Sequence, residues 1–361
     1  MFFIKKKEST GLGIDIGTKS IRFVEISQKK NNFILENYGE INLDHACRDF
    51  FRSFDKNTLN PDIKNIYKSL RSLILEANIK TKKVSFSLPD FSTFFSSFEV
   101  PPMSKKEIDS AVNFEARKYI PLPLSEVVLD WQLMDSNNLT DKNSNKILVM
   151  AVSKVAIGQY KEIAEKSDLV LVSLEAEAMA LRRALAEKNN NENLCLVEIG
   201  FQSTNVSIIK NGFMSASFSF DTAGKDLTNA ISESFNVDIV EAEKVKRKYG
   251  LIDSEEISLI GALDPVMSII FEKVKKIIND FEKANDLQVG KILLSGGSSL
   301  MPGILEYFNN SINRNVETPI IVEMGEPFKK IIYPQGLKNK MKEINANYAV
   351  ALGEALRKFD Q

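Results

Sequence analysis

The chain has 361 residues, of which 43% are apolar and 26% charged, and its formal net charge is −1. This length is too great for one compact core and predicts two domains, while the balanced charge gives no sign of a nucleic-acid-binding protein. Cys47, Cys195 and the single histidine, His45, form no disulfide framework and no zinc-ligand spacing, and no apolar run approaches the ~20 residues of a membrane span.

Residues 1–10 form an N-terminal tail. Met1–Lys7 combines a short apolar patch with a basic run, and such a segment suits an anionic membrane surface or a partner. A frayed terminus explains the same residues equally well.

The stretch Gly11–Ile26 predicts a strand, a tight turn and a second strand, because apolar residues alternate on both sides of Gly17. We expect Gly17 to adopt a positive φ at the turn. Successive backbone N–H groups in such a turn form a nest that binds phosphate, and Asp15 would hold the accompanying metal ion through water. The residues at the tip of the turn are Thr18, Lys19 and Ser20.

The same design occurs a second time. Glu198–Ser203 repeats Asp15–Ser20 in register, as an acid, Ile, Gly, two variable residues and Ser, with apolar residues on both flanks. This repeat predicts two similar domains that face each other across a cleft, with a phosphate-binding turn from each domain directed at one ligand.

We assign residues 11–82 to the first part of the first domain. Phe33–Ile41 predicts a third strand, Leu43–Asn60 lacks a regular pattern, and Pro61–Ala77 carries apolar residues at helical spacing. Residues 154–191 return the chain to this domain with the helices Ser153–Lys166 and Leu174–Glu187 around a strand at Leu169–Ser173.

Residues 83–153 predict an inserted α+β subdomain. Its helix begins at a capping box formed by Ser104 and Glu107 and continues to Tyr119, before Pro121. The remaining pattern is a polar loop at 135–145 and four strands, Val84–Leu88, Thr93–Val100, Val127–Leu133 and Lys146–Val152.

Residues 192–361 predict the second domain. Three strands occupy 194–220, with Asn211-Gly212 as a hairpin signal, and a helical subdomain covers about 222–288, where Asp238 begins a helix and Pro265 breaks one. A buried strand then ends at Gly296-Gly297, which allow the backbone to approach a bulky ligand such as adenosine. A strand at Pro319–Met324 and a helix at Asn345–Lys358 close the chain.

These motifs resemble those of a known family. Asp15–Gly17, Glu198–Gly200 and Ser295–Gly297 stand in the order of the first phosphate, second phosphate and adenosine motifs of the actin-like two-domain ATPase fold. The insert resembles the small subdomain of the FtsA and PilM families. Five further segments are similar to PilM: 101–107, 115–121, 127–131, 174–178 and 347–353.

The resemblance implies a cytoplasmic scaffold at the inner face of the cytoplasmic membrane, in type IV pilus assembly or a related secretion or competence machine. It implies ATP with Mg²⁺ between the two halves. It also implies a groove beside the insert for the cytoplasmic tail of a PilN-like inner-membrane protein, and it leaves self-association open. The alternatives are an FtsA-like cell-division protein and an ATPase or kinase of the same fold.

The resemblance also implies roles for individual residues. Asp15 and Glu198 would orient Mg²⁺ through water, and Glu177 would position water at the terminal phosphate. The other residues implied to bind nucleotide are Gly17, Thr18, Lys19, Ser20, Gly200, Gln202, Ser203, Thr204, Gly224, Glu243, Lys246, Gly296, Gly297 and Ser298. Helical spacing alone would place Glu243 and Lys246 on a solvated face.

One residue departs from the family pattern. The second phosphate motif usually begins with Asp, and here it begins with Glu198. The extra methylene moves the carboxylate by about 1.5 Å, and a misplacement of about 1 Å can cost two orders of magnitude in rate. We therefore expect nucleotide binding with slow or absent hydrolysis.

Overall fold

The computed structural model describes residues 9–43, 50–55, 58–134, 145–187, 192–314 and 319–360. The segment Met1–Lys7, His45, Cys47 and nearly all of the predicted polar loop at 135–145 lie outside these residues. Cys195 is a buried free thiol. Among the described residues, no helix combines the length and the apolarity that crossing a membrane requires.

The described chain contains both strands and helices. The strands are β1 Ser9–Ile16, β2 Ser20–Lys29, β3 Asn32–Asn42, β4 Arg52–Asp55, β5 Thr58–Pro61, β6 Lys83–Leu88, β7 Thr93–Val100, β8 Val127–Leu133, β9 Asn145–Ser153, β10 Val170–Ala176, β11 Leu194–Ile199, β12 Thr204–Lys210, β13 Phe213–Phe220, β14 Lys291–Ser295, β15 Ile321–Met324 and β16 Ile331–Ile332. The helices are α1 Ile63–Glu76, α2 Lys105–Glu115, α3 Lys154–Lys166, α4 Glu177–Leu185, α5 Gly224–Phe235, α6 Ile239–Tyr249, α7 Ile260–Asn285, α8 Ile304–Ile312, α9 Lys338–Ile344 and α10 Ala349–Leu356.

The first sheet has the order β10-β6-β1-β2-β3-β16. The predicted hairpin is its centre, since β1 and β2 pair antiparallel from Ser9↔Gln28 to Ile16↔Ile21. Helices α1 and α3 pack their apolar faces against one side of the sheet. The region predicted to be irregular before α1 contains a further hairpin, in which β4 and β5 pair with each other.

Strand β6 corrects the predicted extent of the insert. It pairs with β1 and β10 in the first sheet, so its assignment to the inserted subdomain is wrong. Val84–Leu88 is buried along its whole length, which is typical of a central strand covered on both faces. The inserted sheet has three strands, in the order β7-β9-β8.

Helix α2 packs across the inserted sheet through Ile108 and Val112. The predicted capping box is confirmed, because the Ser104 hydroxyl accepts the Glu107 N–H and the Glu107 carboxylate accepts the Ser104 N–H. The helix ends at Glu115, earlier than predicted, and Tyr119 lies beyond it with its ring stacked on Phe98.

The second sheet has the order β13-β12-β11-β14-β15 and packs against α5, α7 and α8. The hairpin at Asn211-Gly212 is confirmed, with φ values of 51° and 80°. Helix α7 continues through Pro265, so the predicted break is wrong. Because Pro265 lies near the start of the helix, the missing N–H removes one hydrogen bond, to the Gly261 carbonyl, and the buried face continues.

The last segment of the chain returns to the first sheet. Strand β16 pairs with β3, and α10 packs against β1 and β2. A Cβ at Gly13 would lie only 2.2 Å from the Ala351 carbonyl oxygen, so glycine in β1 permits this approach. The assignment of the whole of 192–361 to the second domain is therefore wrong for these residues.

The start of helix α4 also differs from the prediction. Strand β10 runs to Ala176 and the helix begins at Glu177, whereas the sequence predicted a helix from Leu174. Glu177 thus occupies the first turn of α4, directly after the end of a sheet strand. This position brings its side chain to the carboxyl edge of the first sheet.

Candidate functional site

A cleft of about 320 Å³ lies where the turns of the two predicted hairpins meet. It is lined by most of the predicted site residues: Asp15, Gly17, Thr18, Lys19, Ser20, Glu177, Glu198, Gly200, Gln202, Ser203, Glu243, Lys246, Gly296, Gly297 and Ser298. Thr204 and Gly224 do not line the cleft. The Thr204 hydroxyl donates to the Thr222 carbonyl, and Gly224 lies beneath the cleft wall.

The two turns share one hydrogen-bond pattern. The Gly17 N–H donates to the Ser20 carbonyl at 2.8 Å, and the Gly200 N–H donates to the Ser203 carbonyl at 2.9 Å. The predicted positive φ at Gly17 is wrong, since the positive-φ glycines of the described chain are Gly212, Gly250, Gly296 and Gly303. Glycine is favoured at both turns because a Cβ would lie about 3 Å from the serine carbonyl oxygen.

A glycine pair connects the adenosine motif to the second turn. Gly296 has a φ of 85°, which favours glycine, and the Ser298 hydroxyl donates to the Gly200 carbonyl at 2.9 Å. A Cβ on Gly224 would lie 2.2 Å from the Ser298 hydroxyl oxygen. Gly224 therefore acts by letting α5 approach this junction closely.

Buried carboxylates from both halves meet at the floor of the cleft. The Ser87 hydroxyl donates to Asp15 at 3.0 Å, and Arg52 donates to Glu177 at 2.6 Å. The Asn205 amide donates to Glu177 at 3.2 Å and to Glu198 at 3.0 Å, so it bridges the first and second domains.

Burial shifts the pKa values of the carboxyl groups at this floor. It raises the pKa of Glu198 well above its ordinary value, and the charges of Glu177 and Asp15 act in the same direction. Burial also raises the pKa of Glu177, while Arg52 opposes that shift. Burial and Glu177 together raise the pKa of Asp90 to about 8. Burial therefore favours the neutral form of Glu198.

Within the described residues, no group of three or more His, Cys, Asp or Glu side chains is arranged as a direct metal site. Asp15 keeps one carboxylate oxygen beyond the one that accepts from Ser87, and it lines the cleft. This arrangement fits a hydrated cation better than a cation coordinated wholly by the protein.

Glu243 and Lys246 form a buried ion pair on α6, with 2.6 Å between Nζ and Oε2, rather than a solvated face. The Lys246 ammonium also donates to the Thr228 hydroxyl and the Gly224 carbonyl. Burial opposes ionisation of Glu243, but Lys246 and the hydrogen bonds lower its pKa to about 2. The pair thus forms a rigid charged wall of the cleft.

The cleft also contains residues that the sequence did not single out. One of them is Phe201 in the second turn. Lys19 Nζ of the first turn lies 5.8 Å from the Phe201 ring centroid and 4.7 Å from that of Phe50, so these contacts connect the two turns. Asn205 could have been found, because it pairs with Glu198 in the β11–β12 register. Arg52 could not have been found, because it belongs to no sequence motif. The other unexpected lining residues are Arg22, Glu40, Asn42, Arg247, Leu300, Met301 and Asn347.

Comparison with solved structures defines the class as the actin-like ATPase fold. The protein EutJ from Carboxydothermus hydrogenoformans aligns at a TM-score of 0.55 with 16% identity, covering 98% of this chain and 91% of its own. MreB5 of Spiroplasma citri, solved with AMPPNP, aligns at a TM-score of 0.55 with 13% identity, covering 97% and 96%. These two matches show the shared fold.

The family follows from the sequence profile. The profile of the type IV pilus assembly protein PilM matches residues 13–359, and the chain belongs to this family. A structure described as the PilM-PilN type IV pilus biogenesis complex aligns at a TM-score of 0.82 with 25% identity, covering 96% of this chain and 98% of that one. The cell division protein FtsA of Staphylococcus epidermidis is 22% identical over 87% of this chain and 75% of its own.

Proposed function

We propose that this protein is an ATP-binding scaffold of type IV pilus assembly or of a related secretion or competence machine. The observation that carries the proposal is the cleft of about 320 Å³ lined by the phosphate-type turns of both halves. MreB5 structures bound to AMPPNP and to ADP, which share this fold, support nucleotide binding.

The residues present fit ATP with Mg²⁺. Gln202 Oε1 and Asn347 Oδ1 belong to cleft-lining residues, are buried and lack a hydrogen-bond partner among the described residues, so they have capacity for ligand donors. Gly296-Gly297 and the Glu243–Lys246 wall would hold the adenosine, and the two turns would hold the phosphates. Asp15 would hold Mg²⁺ through water, and the bound ion would neutralise phosphate charge.

Hydrolysis is expected to be slow. Arg52 and Asn205 engage the Glu177 carboxylate, which limits its ability to accept a proton from water. Glu198 accepts a hydrogen bond from Asn205, and burial favours its neutral form. Neither acid is thus a free general base in this arrangement.

The proposed partner is the cytoplasmic tail of a PilN-like inner-membrane protein, which would bring the chain to the inner face of the cytoplasmic membrane. The similarity to a structure of the PilM-PilN complex supports this partner. We propose that the tail binds beside the inserted subdomain, which exposes Phe114 at 65% and Tyr119 at 51%. Exposed apolar patches of this kind commonly mark protein-binding surfaces.

Calorimetric titration with ATP and Mg²⁺, followed by phosphate release in the same sample, tests the nucleotide role. We expect saturable binding with negligible turnover. Gly297→Leu should abolish binding, because a Cβ at Gly297 meets only Asn347 Oδ1, at 3.5 Å, and the longer side chain would extend into the cleft.

Gly336→Leu is the control, since a Cβ there meets nothing within 4 Å, and it should bind ATP like the wild type. Brisk turnover would show that the protein is an enzyme of the same fold rather than a scaffold. Absence of binding would leave the function to the protein partner alone.

A further inference from the structure

A buried guanidinium in the cleft has hydrogen-bonding capacity that the protein does not use. The Arg52 side chain is only 7% exposed, and it donates through Nη2 to Glu177. A side-chain hydrogen bond also joins the guanidinium to Tyr160, yet among the described residues Nε and Nη1 have no hydrogen-bond partner. Buried donors without acceptors are rare in native proteins and call for an explanation, such as a bound ligand.

The first turn fixes the position of this arginine. The Phe51 N–H donates to the Thr18 carbonyl at 2.9 Å, and the Phe51 carbonyl accepts the Asp62 N–H at 2.8 Å. Arg52 then begins β4, which is held by its ladder with β5. The guanidinium is thus connected through the backbone to the turn that would hold phosphate.

The charges around Arg52 favour an anionic ligand group. Burial would lower the pKa of Arg52, but the charge of Glu177, with smaller contributions from Tyr160 and Asp15, keeps it above the ordinary value. The guanidinium therefore stays cationic. Lys246 is also buried in the cleft wall, but three acceptors already engage its ammonium. Arg52 keeps unused donors beside the carboxylates that an anion must approach.

The lining of the cleft indicates which group of a nucleotide would reach this arginine. Leu300 and Met301 line the cleft together with Gly296-Gly297, which gives an apolar end suited to a base. Arg52 instead belongs to the hydrogen-bonded floor that contains Glu177. A nucleotide with its base against Leu300 and Met301 would direct its terminal phosphate towards this floor.

We propose that Arg52 makes the cleft discriminate a nucleoside triphosphate from a diphosphate. The guanidinium would exchange part of its contact with Glu177 for oxygens of the terminal phosphate, because its planar donors match phosphate geometry. With a diphosphate, the Arg52–Glu177 pair persists as it stands. This proposal rests on the proposed nucleotide binding and adds the residue that senses the third phosphate.

The test is calorimetric titration of the wild type and Arg52→Gln with ATP and with ADP, each with Mg²⁺. Loss of charge-assisted hydrogen bonds should weaken ATP binding by about tenfold to a hundredfold and ADP binding by less than about threefold. Arg71→Gln is the control. It removes the same charge at a position that does not line the cleft, where Arg71 pairs with Asp168 at 3.2 Å, so the ratio of ATP to ADP affinity should not change.

A second variant separates a loss of discrimination from misfolding. It is needed because Arg52→Gln leaves Glu177 buried without its cation. The double variant Arg52→Gln/Glu177→Gln keeps a neutral hydrogen-bonding pair and should show the same loss of discrimination. If the wild type binds both nucleotides and the affinity ratio survives in these variants, the role of Arg52 is refuted and nucleotide binding stands. If the wild type binds neither nucleotide, the proposed function fails and this role fails with it.

Discussion

Two buried glutamates in this protein have pKa values shifted in opposite directions because their partners differ. Glu243 has Lys246 at 2.6 Å and a pKa of about 2. Glu354 on α10 is fully buried, and neither of its carboxylate oxygens has a hydrogen-bond partner in the described chain. Burial, reinforced by Glu175, raises its pKa well above the ordinary value against the opposing charge of Arg183. Burial therefore favours the neutral form of Glu354 in the folded state.

The raised pKa of Glu354 makes the stability of the protein depend on pH in a defined direction. Its pKa is raised on folding, so its contribution is complete below the unfolded value of about 4.5 and declines as pH rises towards the folded value. Glu354→Gln removes this decline. Between pH 5 and pH 8, the wild type should lose more unfolding free energy than the variant, by at most about 1.4 kcal/mol per pH unit. Urea unfolding at both pH values measures the difference, and equal losses would show that Glu354 ionises in the folded protein.

At the scale of elements, α10 lies between the first sheet and α4, and glycines permit both contacts. A Cβ at Gly11 would lie 2.2 Å from the Ala355 carbonyl oxygen, and a Cβ at Gly353 would lie 2.0 Å from the Ala180 carbonyl oxygen. Real Cβ atoms do not approach oxygen this closely, so α10 would have to move. The C-terminal helix thereby fixes α4, which carries Glu177, against the first sheet.

Gly353→Ala tests this contact. Overpacking between two helices should lower the unfolding free energy by about 1–3 kcal/mol, despite the better helix propensity of alanine. Gly158→Ala is the matched control, since Gly158 also lies in a helix, α3, and a Cβ there meets nothing within 4 Å. It should stabilise the protein by about 0.5–1 kcal/mol. Equilibrium urea unfolding compares the two, and a neutral Gly353→Ala would mean that the helices separate without cost.

Local patterns predicted the elements of this fold well, because their causes lie within a few residues. Asp238 accepts the Glu241 N–H at the start of α6, and Asn211-Gly212 turns a hairpin, as expected from each residue type. Sheet membership depends on distant pairing instead. The alternation of β6 predicts a strand, but only the register Leu12↔Val84 shows which sheet contains it.

The same contrast between local patterns and distant pairing applies to the residues of the candidate site. The turns around Gly17 and Gly200 were visible because each carries its own repeated motif. Arg52 was not, because its partner Glu177 lies 125 residues away and no local pattern requires an arginine there. Gly17 was identified for the wrong reason: the carbonyl of Ser20, rather than a positive φ, is what disfavours a side chain.

At the scale of the whole molecule, three units meet at Asp90. This residue lies between β6 of the first sheet and β7 of the insert. Its carboxylate accepts the Ala178 N–H of α4 at 3.1 Å and the Ser217 hydroxyl of the second sheet at 3.4 Å, and its own N–H donates to Glu177. A hydrogen-bonded path therefore runs from the cleft floor to the insert, where we propose that the partner tail binds.

This junction predicts that nucleotide and tail binding are coupled. ATP should change the affinity for a synthetic peptide of the PilN-like tail by about fivefold or more, and the peptide should change ATP affinity by the same factor. Asp90→Ala removes the side-chain hydrogen bonds that join the insert connector to α4 and the second sheet. We expect each ligand still to bind this variant alone, with a coupling factor near one.

Ser92→Ala is the control, because the Ser92 hydroxyl is buried in the same connector but donates, within the described part of the chain, to the nearby Pro89 carbonyl alone. It should keep the wild-type coupling factor. Titrations of each ligand in the presence and absence of the other measure the coupling for all three proteins. Wild-type coupling in Asp90→Ala would show that the signal bypasses this junction. The Glu177–Asp90 contact would then serve only to hold the insert in place, and the relative rotation of the two halves would be the alternative route.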